Sequence, residues 1–327
     1  MTVELIVADE TGTKFFEPVI EDGIELSLER RSTPGKLSFK VIPDALLDLS
    51  EGSQVRLAVD GREVFFGYIF KQQRAKDGIV TVTAYDQIRY LKNKDTRTYS
   101  GITTSQLVQD IAAEYNLKTG VIENTGYLIY DRVESNTGLL EMIETSLDLT
   151  LRSVKEMYIL YDDFGKLTLK NISNMYVVDD AGNYLMLDAE TGEDFDYSSS
   201  IDDNTYNRIK LTYKSEETGK GEVFVASDIG NMKRWGTLQY YEELQQGGDG
   251  QVRAEALLDL YNQKTRNLKI TNAFGDIRVR AGSMLIVCLN LGDVQLQNFM
   301  LVERVKHTFK QDDHRMDLTL RGGEFIG

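Results

Sequence analysis

The stretch GSQVRLAVDG (52–61) returns near the far end of the chain as GSMLIVCLNLGD (282–293), and this repetition limits what the chain can fold into. Each copy opens on a Gly-Ser pair, runs through a short apolar strand and ends on a turn signal. Similar text follows each: VFFGYIFKQQRAKDGIVTVTA after the first, FMLVERVKHTFKQDDHRMDLTL after the second. Setting Ile69 against Val305 brings Val80 onto Met316, Val82 onto Leu318 and Ala84 onto Leu320, with a loop about six residues longer in the second copy. Three strands in one order with matched apolar positions predict two related barrels in one chain.

The text between the copies differs in period. Residues 1–92 hold six β-like runs with little helix, as in a small barrel or sandwich. In the fifth, Phe66, Tyr68 and Phe70 share one face and Phe65, Gly67 and Ile69 the other, so that strand is central or covered on both sides. From residue 96, TTSQLVQDIAAEYN places Leu107, Val108, Ile111, Ala112 and Tyr115 at helical spacing, with Thr103 and Gln106 as a capping box. NTGLLEMIETSLDL reads as a second helix, and KEMYILYDDFGKLTLKNI as a hairpin turning at Asp163, Phe164 and Gly165. A loop-rich acidic stretch follows at 188–203, then the strands YNRIKLTYK and GEVFVASD. GQVRAEALLDLYNQKTR then reads as an amphipathic helix with Val252, Ala256, Leu257, Leu260 and Tyr261 as its apolar stripe. The expected fold is a β-rich, multi-domain α+β protein, two tube-like β-barrels flanking a mixed α/β middle region. Its domains are a first barrel at 1–95, a mixed helix/strand domain at 96–175, a β-rich insert with the acidic loop at 176–249, and a helix plus second barrel at 250–327.

Charge and composition narrow the function. A formal net charge of −15, with 52 acidic and 37 basic residues and no segregated basic face, argues against nucleic acid as a partner. The longest apolar run, MLIVCL (284–289), is far short of a membrane span. The start carries Glu4 and too short an apolar run for a signal peptide, and a single cysteine, Cys288, rules out an internal disulfide; a chain folding in the cytoplasm is expected.

No catalytic, cofactor or metal motif is legible. The two histidines are His307, flanked on its face by Val305 and Phe309 and read as structural, and His314, in QDDHR and read as a solvated turn. The Asp pairs at 162–163, 202–203 and 312–313 sit in turn-like settings, and there is no Walker loop, dinucleotide fingerprint or HExxH. Asp188, Glu190, Glu193, Asp194, Asp196, Asp202 and Asp203 supply enough oxygens for calcium but lack EF-hand spacing, so a solvated loop is the default. Trp235 with Arg234, Tyr240 and Tyr241 is the candidate partner interface, a domain core being the alternative.

REVFFGYIFKQQRAKDGIVTVTAYDQIRYL, TYNRIKLTYK and the closing GSMLIVCLNLGDVQLQNFMLVERVKHTFKQDDHRMDLTLRG together resemble the baseplate hub proteins of contractile phage tails and phage-derived tailocins, in their Gram-positive version. The resemblance spans essentially the whole chain in order of elements. It implies a homotrimer whose six barrels meet a hexameric tail tube protein, while other domains receive the central spike protein and further baseplate components. It also implies assembly in the bacterial cytoplasm into a virion or tailocin particle. The rival reading is a tail-associated cell-wall hydrolase or a carbohydrate-binding module.

Overall fold

The computed structural model describes residues 1–322 other than 10, 45–46, 48, 189, 203, 215–220, 245–249 and 291–294. Asp203 and most of the GGDG turn (247–250) lie outside the described residues.

Strands β1 (Val3–Ala8), β2 (Phe15–Phe16), β3 (Ile20–Glu29), β4 (Lys36–Val41), β5 (Gln54–Val59), β6 (Arg62–Arg74) and β7 (Val80–Tyr85) form the first β-unit. Their alternation turns Leu37, Phe39, Val55, Leu57, Ile69 and Val82 into a common core, with the polar residues between them outside. β6 is flanked by β5 and β7 and covered on both faces, as expected: Phe65, Gly67 and Ile69 are buried, while Phe66, Tyr68 and Phe70 form a half-buried outer row against Tyr85, Tyr90 and Phe164.

The middle region comprises β8 (Lys94–Tyr99), α1 (Thr104–Glu114), β9 (Thr119–Ile122), β10 (Arg132–Gly138), α2 (Leu139–Val154), β11 (Tyr158–Asp162) and β12 (Leu167–Asn171). The capping box forms: Gln106 N–H donates to Thr103 Oγ1 at 3.2 Å and Thr103 N–H to Gln106 Oε1 at 2.8 Å. Leu107, Ile111, Leu139, Met142 and Ile143 then close a helix-on-helix core over β11 and β12.

Beyond it lie β13 (Met186–Asp188), β14 (Asp194–Ser200), β15 (Arg208–Lys214), β16 (Gly221–Ser227), α3 (Ile229–Trp235), β17 (Gln239–Leu244) and α4 (Gly250–Tyr261). β16-β15-β17 is a separate sheet, and α4 packs on it through Ala254 and Leu257 rather than on the strands that follow. Val252, placed on the apolar stripe by its spacing, is 66% exposed; the packed face keeps Leu257 and Tyr261 of that stripe and adds Ala254 and Leu258. β18 (Thr265–Phe274), β19 (Met284–Asn290), β20 (Gln295–Lys310) and β21 (Asp313–Gly322) complete the second β-unit around Leu268, Leu285, Val287, Val302, Val305 and Leu318.

Two expectations fail. Neither β-unit closes into a barrel among the described residues. The first runs β3-β4-β7-β6-β5-β1 with no ladder from β1 back to β3, because the outer edge of β3 is taken by β20 of the second unit. The two units therefore form one continuous thirteen-stranded sheet. The acidic stretch is also no free loop: Asp194–Ser200 is strand β14, paired residue for residue with β18 from Thr265 to Thr271. Phe195 and Tyr197 alternate with its carboxylates, and Tyr197 packs against the second core.

Candidate functional site

The feature that organises the molecule is the joint between its β-units, and it begins at the repeated Gly-Ser pair. Gly52 and Gly282 sit at φ +94° and +93°, in the region glycine enters without Cβ strain. Each donates its N–H to a strand carbonyl at 2.8 Å, Gly52 to Ile69 and Gly282 to Val302. The returning bonds match as well: Ile69 N–H to Ser53 O at 2.9 Å, Val302 N–H to Ser283 O at 2.8 Å. A bulge follows at once in each copy, between Ile69 and Lys71 and between Val302 and Arg304.

The position equivalent to Ile69 is thus Val302, not Val305, while Val80, Val82 and Ala84 do align with Met316, Leu318 and Leu320. Periodicity misplaced it because the bulge resets the two-residue alternation, leaving Val302 and Val305 both fully buried although three apart.

The bulge also re-aims the strand. Before it, β20 pairs with β19; beyond it, Arg304–Phe309 pairs antiparallel with Glu29–Ile24 of β3. Opposite charges line this joint: Arg304–Glu29 at 3.0 Å, Lys306–Glu25 at 3.2 Å and Lys310–Asp22 at 3.0 Å. These pairs are solvated and set register more than stability. The more enclosed contact is Arg30, whose Nε and Nη2 grip Glu303 at 2.7 and 3.0 Å, a bidentate fork.

A second cluster locks both units to the middle region. Asp86, buried, accepts N–H groups from Gly35 at 2.9 Å and Ile88 at 3.0 Å, and its burial, together with nearby Asp162, holds its carboxyl well above the usual range. Asp162 is also raised by burial; it accepts Gly165 N–H at 2.7 Å, so it does belong to a turn. Arg280, from the second unit, lies 3.6 Å over the Tyr161 ring and donates Nη2 to Asp162 O at 2.7 Å. The cluster borders a cleft of about 230 Å³ that Arg30, Arg31, Arg152, Asp148 and Glu144 also line. Most of these groups are already paired, so the arrangement suits cohesion rather than turnover. No group of three or more His, Cys, Asp or Glu able to hold a metal occurs among the described residues, and no helix among them is long and apolar enough to cross a membrane.

His307 is buried, as its neighbours suggest, but His314 is not a solvated turn. The turn is Gln311 and Asp312, and β21 carries His314 back over Phe309, ring centroids 4.4 Å apart. His307 Nε2 lies 3.0 Å from Val279 O, and a carbonyl only accepts, so Nε2 carries the proton and the bare Nδ1 accepts from His314 Nε2 at 2.9 Å. Burial and the facing ring push His307 down to about 3, and burial pushes His314 to about 4. The sequence signal for this pair was the hairpin register, which brings residues 307 and 314 within one diagonal step.

The aromatic candidates divide. Tyr240 is half-buried between Tyr206 and Tyr261, its hydroxyl 2.8 Å from Glu242. Tyr241 lies on the opposite face of β17, 57% exposed, and Trp235 ends α3 half-buried beside exposed Arg234. The four residues do not form one patch.

Several solved phage tail structures share this fold. The 43 kDa tail protein of prophage MuSo2 from Shewanella oneidensis superposes with a TM-score of 0.65 at 13% identity, covering 97% of this chain and 98% of that one. The E. coli protein c3393, described as a type VI secretion component structurally similar to T4 tail proteins gp27 and gp5, superposes at 0.58 and 12% identity over 100% of this chain and 78% of that one. The molecule therefore has a phage-tail-protein fold. By sequence the chain belongs to the YQBQ-like family, whose model matches residues 24–321. Two relatives come from Bacillus subtilis (strain 168): the uncharacterized protein YqbQ, 29% identical over 97% of this chain and 95% of its own, and the phage-like element PBSX protein XkdQ, 27% identical over 97% and 96%.

Proposed function

We propose that the chain is the structural hub of a contractile phage tail or tailocin baseplate, a homotrimer that adapts a hexameric tail tube to a trimeric central spike. The observation that carries this is the doubled architecture: two β-units with the same Gly-Ser corner and the same bulge, joined edge to edge. Three such chains present six near-equivalent units, the number a six-fold tube requires, while the chain keeps the three-fold count a spike requires. The phage-like origin of XkdQ and the tail-protein fold support a place in the particle. Trp235, Arg234 and Tyr241, on the small α/β unit, are proposed contacts to other baseplate components, and Tyr240 a core residue of that unit.

The role is structural. Asp86 and Asp162, the two carboxylates that burial raises, are already engaged by backbone N–H groups, unlike a poised acid–base pair. Gold-labelled chain mixed with purified cognate tail tubes should appear at one tube end in negative-stain images. Absence from the ends, or a cleared band in a cell-wall zymogram that vanishes with Asp162→Asn, would favour the hydrolase instead.

A further inference from the structure

The cleft of about 230 Å³ is walled by all four parts of the chain: Arg31 from the first β-unit, Arg152 from α2, Tyr261 from the small α/β unit and Arg321 from the second β-unit. Its size suits a small ligand, below the roughly 300–1,000 Å³ of sites for drug-sized molecules.

Its carboxylates are shared between arginines. Glu303 takes the fork of Arg30 and has Arg321 Nη1 at 3.9 Å. Glu242 lies 3.7 Å from Arg152 and 2.7 Å from Arg253. Asp148 accepts Arg31 Nη2 at 2.8 Å and also attracts Arg152. Glu144 attracts Arg31 too, but its oxygens accept the N–H and the hydroxyl of Ser32. Among the described residues, Arg30, Arg31, Arg152, Arg253 and Arg321 thus share four carboxylates, and Glu29, on the rim, faces Arg304 at 3.0 Å. The imbalance registers on Arg321: burial first, then Arg30 and Arg31 against the pull of Glu303, hold it below the usual guanidinium range. Deeper in, burial raises Asp86 and Asp162 and so weakens them as counter-charges to Arg280, whose buried Nε has no hydrogen-bond partner among the described residues; exposed Asp163 is 3.7 Å from its Nη1.

Donors are also to hand. A guanidinium carries five N–H groups. Arg31 is bonded through Nη2 to Asp148 and Arg152 through Nη1 to Tyr240 Oη at 3.2 Å, and both side chains stay partly open to solvent. The Tyr261 hydroxyl is close enough to act on both Arg152 and Arg321.

We infer that this cleft binds a small oxyanion, an inorganic phosphate or a low-molecular-weight carboxylate, gripped by Arg31 and Arg152, with Arg321 adding charge and Tyr261 a hydroxyl. Because each wall belongs to a different part of the chain, the anion binds the assembled fold and not the unfolded chain, and it stabilises that fold by mass action. The inference stands independently of the hub reading.

Titration calorimetry and thermal melts of the full chain with inorganic phosphate and with citrate, at neutral pH and with ionic strength held constant by sodium chloride, test it. At least one anion should bind saturably and raise the melting temperature; phosphate alone would assign a phosphate, citrate alone a carboxylate. Arg31→Ala should weaken binding about tenfold or more, as loss of a charge-assisted hydrogen bond does, and Arg31→Lys, which keeps the charge without the fork, should fall between. Arg62→Ala, at an exposed position opening β6, should bind like the wild type. No saturable binding of either anion, binding that both Arg31 variants leave unchanged, or binding that Arg62→Ala weakens equally would overturn the site.

Discussion

Acidification should loosen the second β-unit through His307. The ring is 2% exposed, and its only bare nitrogen faces the N–H of His314 at 2.9 Å. Protonating Nδ1 places a charge in a dry site beside the His314 ring, and burial first, then that ring, hold the folded pKa down at about 3. In the unfolded chain it returns to about 6.5. Because the folded value is depressed, stability is full above pH 6.5 and falls as pH drops toward 3, where the unfolded chain binds a proton the folded one refuses. The slope is about 1.4 kcal/mol per pH unit, so moving from pH 7.5 to 5 costs about 2 kcal/mol from this residue alone. Urea melts of the wild type and His307→Leu at pH 7.5, 6 and 5 isolate it. At pH 7.5 the variant should be weaker by about 1–3 kcal/mol, since Val279 O and His314 N–H lose their partner. By pH 5 that gap should shrink by about 2 kcal/mol, because Asp276, Asp313, Arg280 and His314, the other charged or titratable groups around the site, remain in both proteins. Two curves that stay parallel would refute the reasoning.

The paired glycines should differ in a defined way. Gly52→Ala meets nothing within 4 Å and should cost only the backbone strain of its φ, about 1–2 kcal/mol. Gly282→Ala would place a Cβ 2.7 Å from Ile159 Cγ2 and should cost clearly more in thermal melts, because there the corner packs on the middle region. Leu257→Ala should destabilise the small α/β unit by about 2–5 kcal/mol, read as loss of amide exchange protection in β15. Deleting 194–200 should lower stability by several kcal/mol, since a seven-pair ladder goes with it at about 0.5–1.5 kcal/mol per hydrogen bond. An unchanged melt would show that β14 is dispensable.

The repeat was legible because the Gly-Ser corner demands a particular backbone wherever it occurs, and α1 because Thr103 and Gln106 fix its start. Register was harder: a bulge leaves no composition signature, so Val305 stood in for Val302. β14 was hidden by its own carboxylates, as DFDYSSS carries the charge of a loop and only the alternation of Phe195 and Tyr197 marks a strand. The Asp86–Asp162–Arg280 cluster draws its members from three regions far apart in sequence, and no local pattern relates them. The joint itself was legible only as a count of two units; which edge meets which depends on β3 turning outward at Asp22 and Gly23, both at positive φ.

Electron cryomicroscopy of the purified assembly, viewed down its axis, tests the central claim most directly. Three chains of 37.1 kDa should give a closed ring with three-fold symmetry and six β-lobes, each chain's two lobes joined through β3–β20. A single chain, a two-fold dimer, or a trimer that does not display six such lobes would contradict it.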